Sequence, residues 1–161
     1  MHEGDLERKV AWANDPEVDR WIAFGERITL EGTQKWFAAQ RRDPSVILQT
    51  ICWGDEPIGY VKLAREGAHR GVYHGLAIGE PSYWGRGLGK AAVREVLTIA
   101  FERERWTRLW GYWPAWNERS IGLHEALGFR REGLAGFRRR DLDGREHEVW
   151  ILAATPLVVG S

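Results

Sequence analysis

The sequence predicts a single α/β domain with helices flanking one central sheet. Three observations carry this. Val72-Tyr73-His74-Gly75-Leu76-Ala77-Ile78 has strand character, Tyr83-Trp84-Gly85-Arg86-Gly87-Leu88-Gly89-Lys90 is a glycine-rich loop, and a helix-patterned run follows, so strand, loop and helix form one unit. Strand-like and helix-like runs occur along the whole chain, with no internal repeat, linker or low-complexity segment between them. Finally, 161 residues with 43% hydrophobic content hold enough apolar surface for one full core, which assigns the domain to residues 1–161.

The elements follow in order. Asp5 to Ala13 and Asp15 to Phe24 read as short helices broken at Asn14-Asp15-Pro16, with Asp15 as N-cap and Pro16 at the first helical position. Thr29 caps a third helix to about Arg41, whose Leu30, Trp36 and Phe37 mark its apolar side. Strands are expected over 46 to 53 and 57 to 65, joined by the turn Gly54-Asp55-Glu56-Pro57, and over 71 to 79. After the glycine loop, Val93, Val96, Leu97, Ala100 and Phe101 recur at helical spacing and give one apolar face. A strand around 107 to 113 and a helix over about 117 to 127 come next, with Gly128 expected as a C-cap of positive φ. A hairpin of 129 to 140 with 146 to 153, turning at Leu142-Asp143-Gly144, completes the pattern.

Composition narrows the function classes. Acidic and basic residues number 23 each, which argues against nucleic-acid or membrane binding driven by bulk charge. The run Arg138-Arg139-Arg140 is a local exception, and such runs are usually solvated faces. A single cysteine, Cys52, excludes an internal disulfide, fits a cytoplasmic setting, and is expected to be a buried inert thiol in its apolar strand. No signal-like segment opens the chain, and no apolar run approaches the ~20 residues needed to span a bilayer. The ten tryptophans are expected mostly in the core, because a large ring buries much area.

Two clusters point to chemistry. Side-chain-free backbone at Gly85, Gly87 and Gly89 lets several N–H groups approach phosphate oxygens, and the helix behind adds its unpaired N–H groups and positive dipole end. Charge-assisted hydrogen bonds contribute on the order of 1.5 to 3 kcal/mol each, so three or four can hold a pyrophosphate without a metal. A P-loop is excluded by Trp84 and Ala91 where it needs Gly and Ser or Thr, and the dinucleotide fingerprint by Lys90 at its third glycine. A tight strand-to-helix turn is the plainer alternative. The second cluster is Asn117, Ser120 and His124, which share a ~60° arc of one helix. Asn117 doubles as a natural N-cap.

The two motifs at this separation, Glu80-Pro81-Ser82-Tyr83-Trp84-Gly85-Arg86-Gly87-Leu88-Gly89 and then Asn117-Glu118-Arg119-Ser120 with Leu127-Gly128-Phe129, resemble the GNAT superfamily of acyl-CoA N-acyltransferases. The likeness extends over nearly the whole chain and is greatest to the branch holding bacterial ribosomal-protein N-terminal acetyltransferases, with diamine and amino-sugar acetyltransferases. It implies a mixed, mainly antiparallel central sheet flanked by helices, and acetyl-CoA as cosubstrate with no metal. It also implies an amine acceptor, small molecule or peptide, and leaves a homodimer open. The family's pyrophosphate loop falls on Trp84, Gly85, Arg86, Gly87, Leu88 and Gly89, with Lys90 as a further cation. Leu76, Ala77 and Ile78 would flank the pantetheine and offer an N–H to the acetyl oxygen, and Asn117 matches the family asparagine.

Departures from the family pattern fall at particular residues. Trp84 stands where Gln or Arg is usual, His124 where many members carry a tyrosine that protonates the thiolate, and Tyr73 where relatives often carry a glutamate beside the acceptor amine. The family's opening strand is absent or very short. Acetyl transfer needs an oxyanion donor, an acid for the thiolate and a neutral amine. Ser120 or His124 can serve as the acid if the histidine titrates near neutrality. Glu80 and His74 are the candidate bases, placed on one strand face by period-2 alternation, with ordered water as the alternative. The expected reaction is direct transfer to a peptide N-terminal or amino-sugar amine. A CoA-binding regulatory or interaction module without turnover is the competing expectation.

Overall fold

The computed structural model describes residues 1–156. Strands β1 (Val46–Trp53), β2 (Glu56–Glu66), β3 (Arg70–Ile78), β4 (Arg108–Pro114), β5 (Arg130–Arg140) and β6 (Glu146–Ala154) form one sheet in the order β1-β2-β3-β4-β6-β5. Every neighbouring pair is antiparallel except β3 and β4. Five helices accompany the sheet: α1 (Leu6–Asn14), α2 (Pro16–Ile22), α3 (Leu30–Arg42), α4 (Leu88–Thr98) and α5 (Glu118–Glu125). The fold is the expected α+β arrangement around a mixed, mainly antiparallel sheet, and no strand precedes α1 among the described residues.

Local chemistry sets most boundaries. Asp15 accepts from the Glu17 amide at 2.8 Å and Thr29 from the Gly32 amide at 3.1 Å, which caps α2 and α3 as their sequences predict. Helix α2 stops at Ile22 rather than Phe24, because Ala23 turns left-handed at φ 53°. Ala100 and Phe101 lie beyond α4 proper, in a wide π turn over Ile99–Arg103 that keeps the apolar face going. Gly128 takes φ 99°, and the Phe129 amide closes α5 on the His124 carbonyl.

The core lies between the sheet and α4 with α5. Val93, Val96, Ile99 and Ala100 pack with Val61 and Leu63 of β2, Leu109 and Trp113 of β4, Leu152 of β6, and Ile121 and Phe129. Tyr73 belongs to this core with 3% of its surface exposed, against Trp113 and Phe129.

Two further expectations are corrected. Cys52 is exposed, because it sits near the end of edge strand β1 where the register slips between Ile51 and Cys52. Only Trp12, Trp106 and Trp113 of the ten tryptophans are buried, and Trp53 is 57% exposed. Among the partly exposed rings, several carry cations: Lys9 over Trp36, Arg119 over Trp84, Arg131 over Trp150 and Arg139 over Trp116.

The feature that makes a site is a parting of two strands. β3 and β4 pair only from Arg70 with Arg108 to Tyr73 with Gly111. A Cβ at Gly111 would stand 2.4 Å from the Tyr73 carbonyl, so the last paired position needs glycine for space. Beyond it the register slips past His74, Gly75 turns to φ 134°, and residues 74–78 leave β4.

Candidate active site

The parted strands open a cleft of about 470 Å³. Leu76, Ala77 and Ile78 of β3 line one wall, the loop with the start of α4 lines the floor, and Asn117, Arg119, Ser120, Leu123 and His124 line the opposite wall. Val18, Trp21 and Ile22 of α2 border it as well. The volume falls in the range usual for small-molecule sites.

The loop supplies an anion cradle. Gly85 and Gly87 take φ 77° and 78°, a region that disfavours any side chain bearing Cβ, and a Cβ on either would meet no protein atom within 4 Å. The requirement there is conformational, and the space above the backbone stays open. Gly87 is the N-cap of α4 and has no side-chain cap, so the first-turn amides have no intrahelical partner where Leu88, Gly89 and Lys90 line the cleft. Gly89 has a separate reason: a Cβ would touch the Leu123 side chain at 3.4 Å, where α4 packs on α5. These features fit a pyrophosphate held by backbone N–H groups.

Trp84 fixes the loop to the strand by donating its indole N–H to the Ile78 carbonyl at 2.8 Å. Arg119 lies over the Trp84 ring at 5.4 Å and also lines the cleft. Nothing in the sequence reading singled it out, although a cation in the first turn of α5 opposes the helix dipole and so needs a local reason. Arg86 is not among the lining residues: it is exposed, with its guanidinium over the Tyr83 ring at 5.1 Å. Lys90 does line the cleft.

On the α5 wall, Asn117 works in two directions. Its Oδ1 accepts from the Ser120 amide at 3.2 Å as the N-cap, and its Nδ2 donates to the Trp21 carbonyl at 3.3 Å, tying α5 to α2. His124 is 3% exposed among the rings of Tyr73, Trp113 and Phe129. Its Nδ1 lies 2.7 Å from the Ser120 carbonyl, which only accepts, so Nδ1 carries the proton and Nε2 accepts from the Tyr73 hydroxyl at 3.2 Å. Burial pushes its pKa down to about 4, partly opposed by the Ser120 carbonyl. The expectation of a histidine titrating near neutrality is therefore corrected: at pH 7 this imidazole is neutral and both nitrogens are engaged. The Ser120 hydroxyl lies 3.4 Å from Nδ1 and keeps its own proton free for the cleft.

The candidate bases do not converge on the cleft. Glu80 lies beyond the end of β3, where its Oε1 accepts from the Trp12 indole at 2.7 Å. His74 is the bulged residue at the parting, exposed, with its pKa held below the ordinary value by partial burial and by Lys62. The slip at His74 breaks the alternation that put the two on one face. Trp36, on the apolar side of α3, packs under the Lys9 ammonium at 4.5 Å. Nor does the Arg138–Arg140 run form one charged face: Arg139 turns in toward the Ile22 carbonyl, and Arg140 pairs with Glu146.

The family model described as acetyltransferase (GNAT) domain matches residues 1–130. Among solved structures the chain is similar to a spermidine N-acetyltransferase from Vibrio cholerae in complex with CoA and spermine. That match has 17% identity and a TM-score of 0.82, and covers 96% of this chain and 92% of the other. It is also similar to the aminoglycoside acetyltransferase AAC(6')-Ib in complex with coenzyme A, at 24% identity and a TM-score of 0.74, covering 96% and 91%. At these identities the structural likeness is one of fold.

Proposed function

The chain belongs to the acetyltransferase (GNAT) family, and we propose that it moves an acetyl group from acetyl-CoA directly to a peptide N-terminal or amino-sugar amine. The observation that carries the acceptor class is the charge of the cleft. Its lining holds the cations Lys90 and Arg119 and, among the described residues, no Asp or Glu. A polycationic amine would enter without a counter-charge, whereas a singly charged amine of low pKa needs none. Such an acceptor also keeps the chain beside the ribosomal-protein N-terminal acetyltransferase branch that its motifs resemble.

The residues divide the work as follows. The amides of Gly85 through Lys90, with the Lys90 and Arg119 cations, hold the pyrophosphate. Leu76 to Ile78 present the backbone edge that β4 has left, and an amide there stabilises the oxyanion as the amine nitrogen bonds to the acetyl carbon. The bond to sulfur then breaks, and the Ser120 hydroxyl gives its proton to the departing thiolate and regains one from water. Asn117 and the neutral His124 are positioning residues that hold the first turns of α5 and so aim Ser120. Water takes the proton from the amine. That suffices for an α-amine of pKa near 7.7, which loses its proton at pH 7 for about 1 kcal/mol, against about 4.6 kcal/mol for an alkyl amine near 10.4.

Release of free thiol from acetyl-CoA, measured with a panel of amines, tests the assignment. Thiol release is expected only when an acceptor amine is present. Tight acetyl-CoA binding with no release for any amine would contradict it.

A further inference from the structure

Helix α2 has seven residues, too few to be stable alone, so its place in the cleft wall depends on what holds its ends. Its N-terminus is capped by Asp15. Its C-terminus ends in the left-handed Ala23, a conformation that is costly for a residue with a Cβ and persists where the surroundings enforce it. Two side chains from distant parts of the chain meet the carbonyls there. Asn117 donates to Trp21 O, and Arg139 of β5 donates from Nη2 to Ile22 O at 3.0 Å and to Ala23 O at 3.4 Å.

Arg139 is set apart from its neighbours. Arg108, Arg131 and Arg140 pair with Glu132, Glu125 and Glu146, whereas Arg139 is half-buried, stacks on Trp116 at 5.7 Å and makes no ion pair among the described residues. A guanidinium removed from water without a carboxylate is costly unless its donors are used, and the negative end of a helix is the partner that fits. We propose that Arg139 is a positioning residue for the acceptor: it clasps the C-terminus of α2 and sets where Trp21 and Ile22 stand in the cleft. This rests on assigning acetyl transfer to the cleft. The pyrophosphate is assigned to the glycine loop, and α2 has no part in that loop, so loss of Arg139 is expected to act on the acceptor and to spare acetyl-CoA.

The test compares Arg139→Ala, Arg139→Lys and the exposed neighbour Arg138→Ala. Hydrogen exchange over residues 16–25 reports the clasp without any acceptor, and steady-state kinetics use a hexapeptide with a free N-terminus. Arg139→Ala is expected to speed exchange in that segment and to raise the peptide KM about tenfold, with the acetyl-CoA KM within twofold of the parent. Arg139→Lys is expected to recover part of both effects, and Arg138→Ala to leave both unchanged. If Arg139→Ala does not fold, Arg139→Lys alone carries the comparison, with smaller shifts of the same pattern. Unchanged exchange over 16–25, or equal rises in both KM values, would overturn the clasp. A parent enzyme that acetylates neither the hexapeptide nor an amino sugar refutes the acceptor assignment, while exchange still decides the clasp.

Discussion

Trp84 and Ile78 are joined by a hydrogen bond of 2.8 Å that ties the first residue of the glycine loop to the last carbonyl of β3. One indole thereby sets the glycine loop against the edge of β3, at a position where the family usually carries Gln or Arg. Trp84→Phe keeps the ring and deletes the donor. Losing such a bond costs about 1 kcal/mol, so the Kd for acetyl-CoA is expected to rise roughly fivefold in calorimetry. An unchanged Kd would show that the loop holds its place without the indole.

Gly87 separates conformation from contact. Its φ of 78° is open to glycine, tolerable for asparagine and hostile to a β-branched residue, and no protein atom lies where a Cβ would go. Gly87→Val is expected to weaken acetyl-CoA binding at least tenfold, about 1.4 kcal/mol, with Gly87→Asn in between. Equal affinities for all three folded proteins would remove the loop from the binding site.

Ser120 is expected to act on turnover alone. Ser120→Ala should lower kcat by roughly 10²-fold, the low end for general acid catalysis, and leave the Kd for acetyl-CoA as it was. Full turnover in this variant would hand the thiolate proton to water.

The sequence showed the loop, its helix and the Asn117–Ser120–His124 stripe, because both motifs are local and their spacing fixes which side chains share a face. It did not show the roles of His124, Glu80 or Tyr73, since those depend on partners far along the chain. Tyr73 is 51 residues from His124, and Trp12 is 68 from Glu80. The alternation that placed Glu80 with His74 failed at a single bulge, which carries no local sequence signal beyond Gly75. Arg119 was legible in principle as a cation at the wrong end of a helix dipole.

His124 makes stability depend on pH. Its pKa in the fold is about 4, below the ordinary 6.5, so the unfolded chain binds the proton more readily between those values. The stability its neutral form supports is complete above pH 6.5 and falls as pH drops toward 4, by on the order of 3 kcal/mol. Urea unfolding from pH 7 to 4.5 checks this. His124→Phe is expected to start from a lower level, through the unpaired Tyr73 hydroxyl, and to show a shallower pH slope across that window. Identical slopes would place the titration elsewhere.

The most direct test of the proposed function compares kcat/KM at pH 7 and pH 9 for a short peptide with a free N-terminus, an amino sugar and spermidine. With no Asp or Glu lining the cleft among the described residues, the peptide or the amino sugar is predicted to be preferred at pH 7, and spermidine to gain most on going to pH 9 as its amines lose their protons. A clear preference for spermidine at pH 7 would contradict this and require a buried base and counter-charge that the cleft does not display.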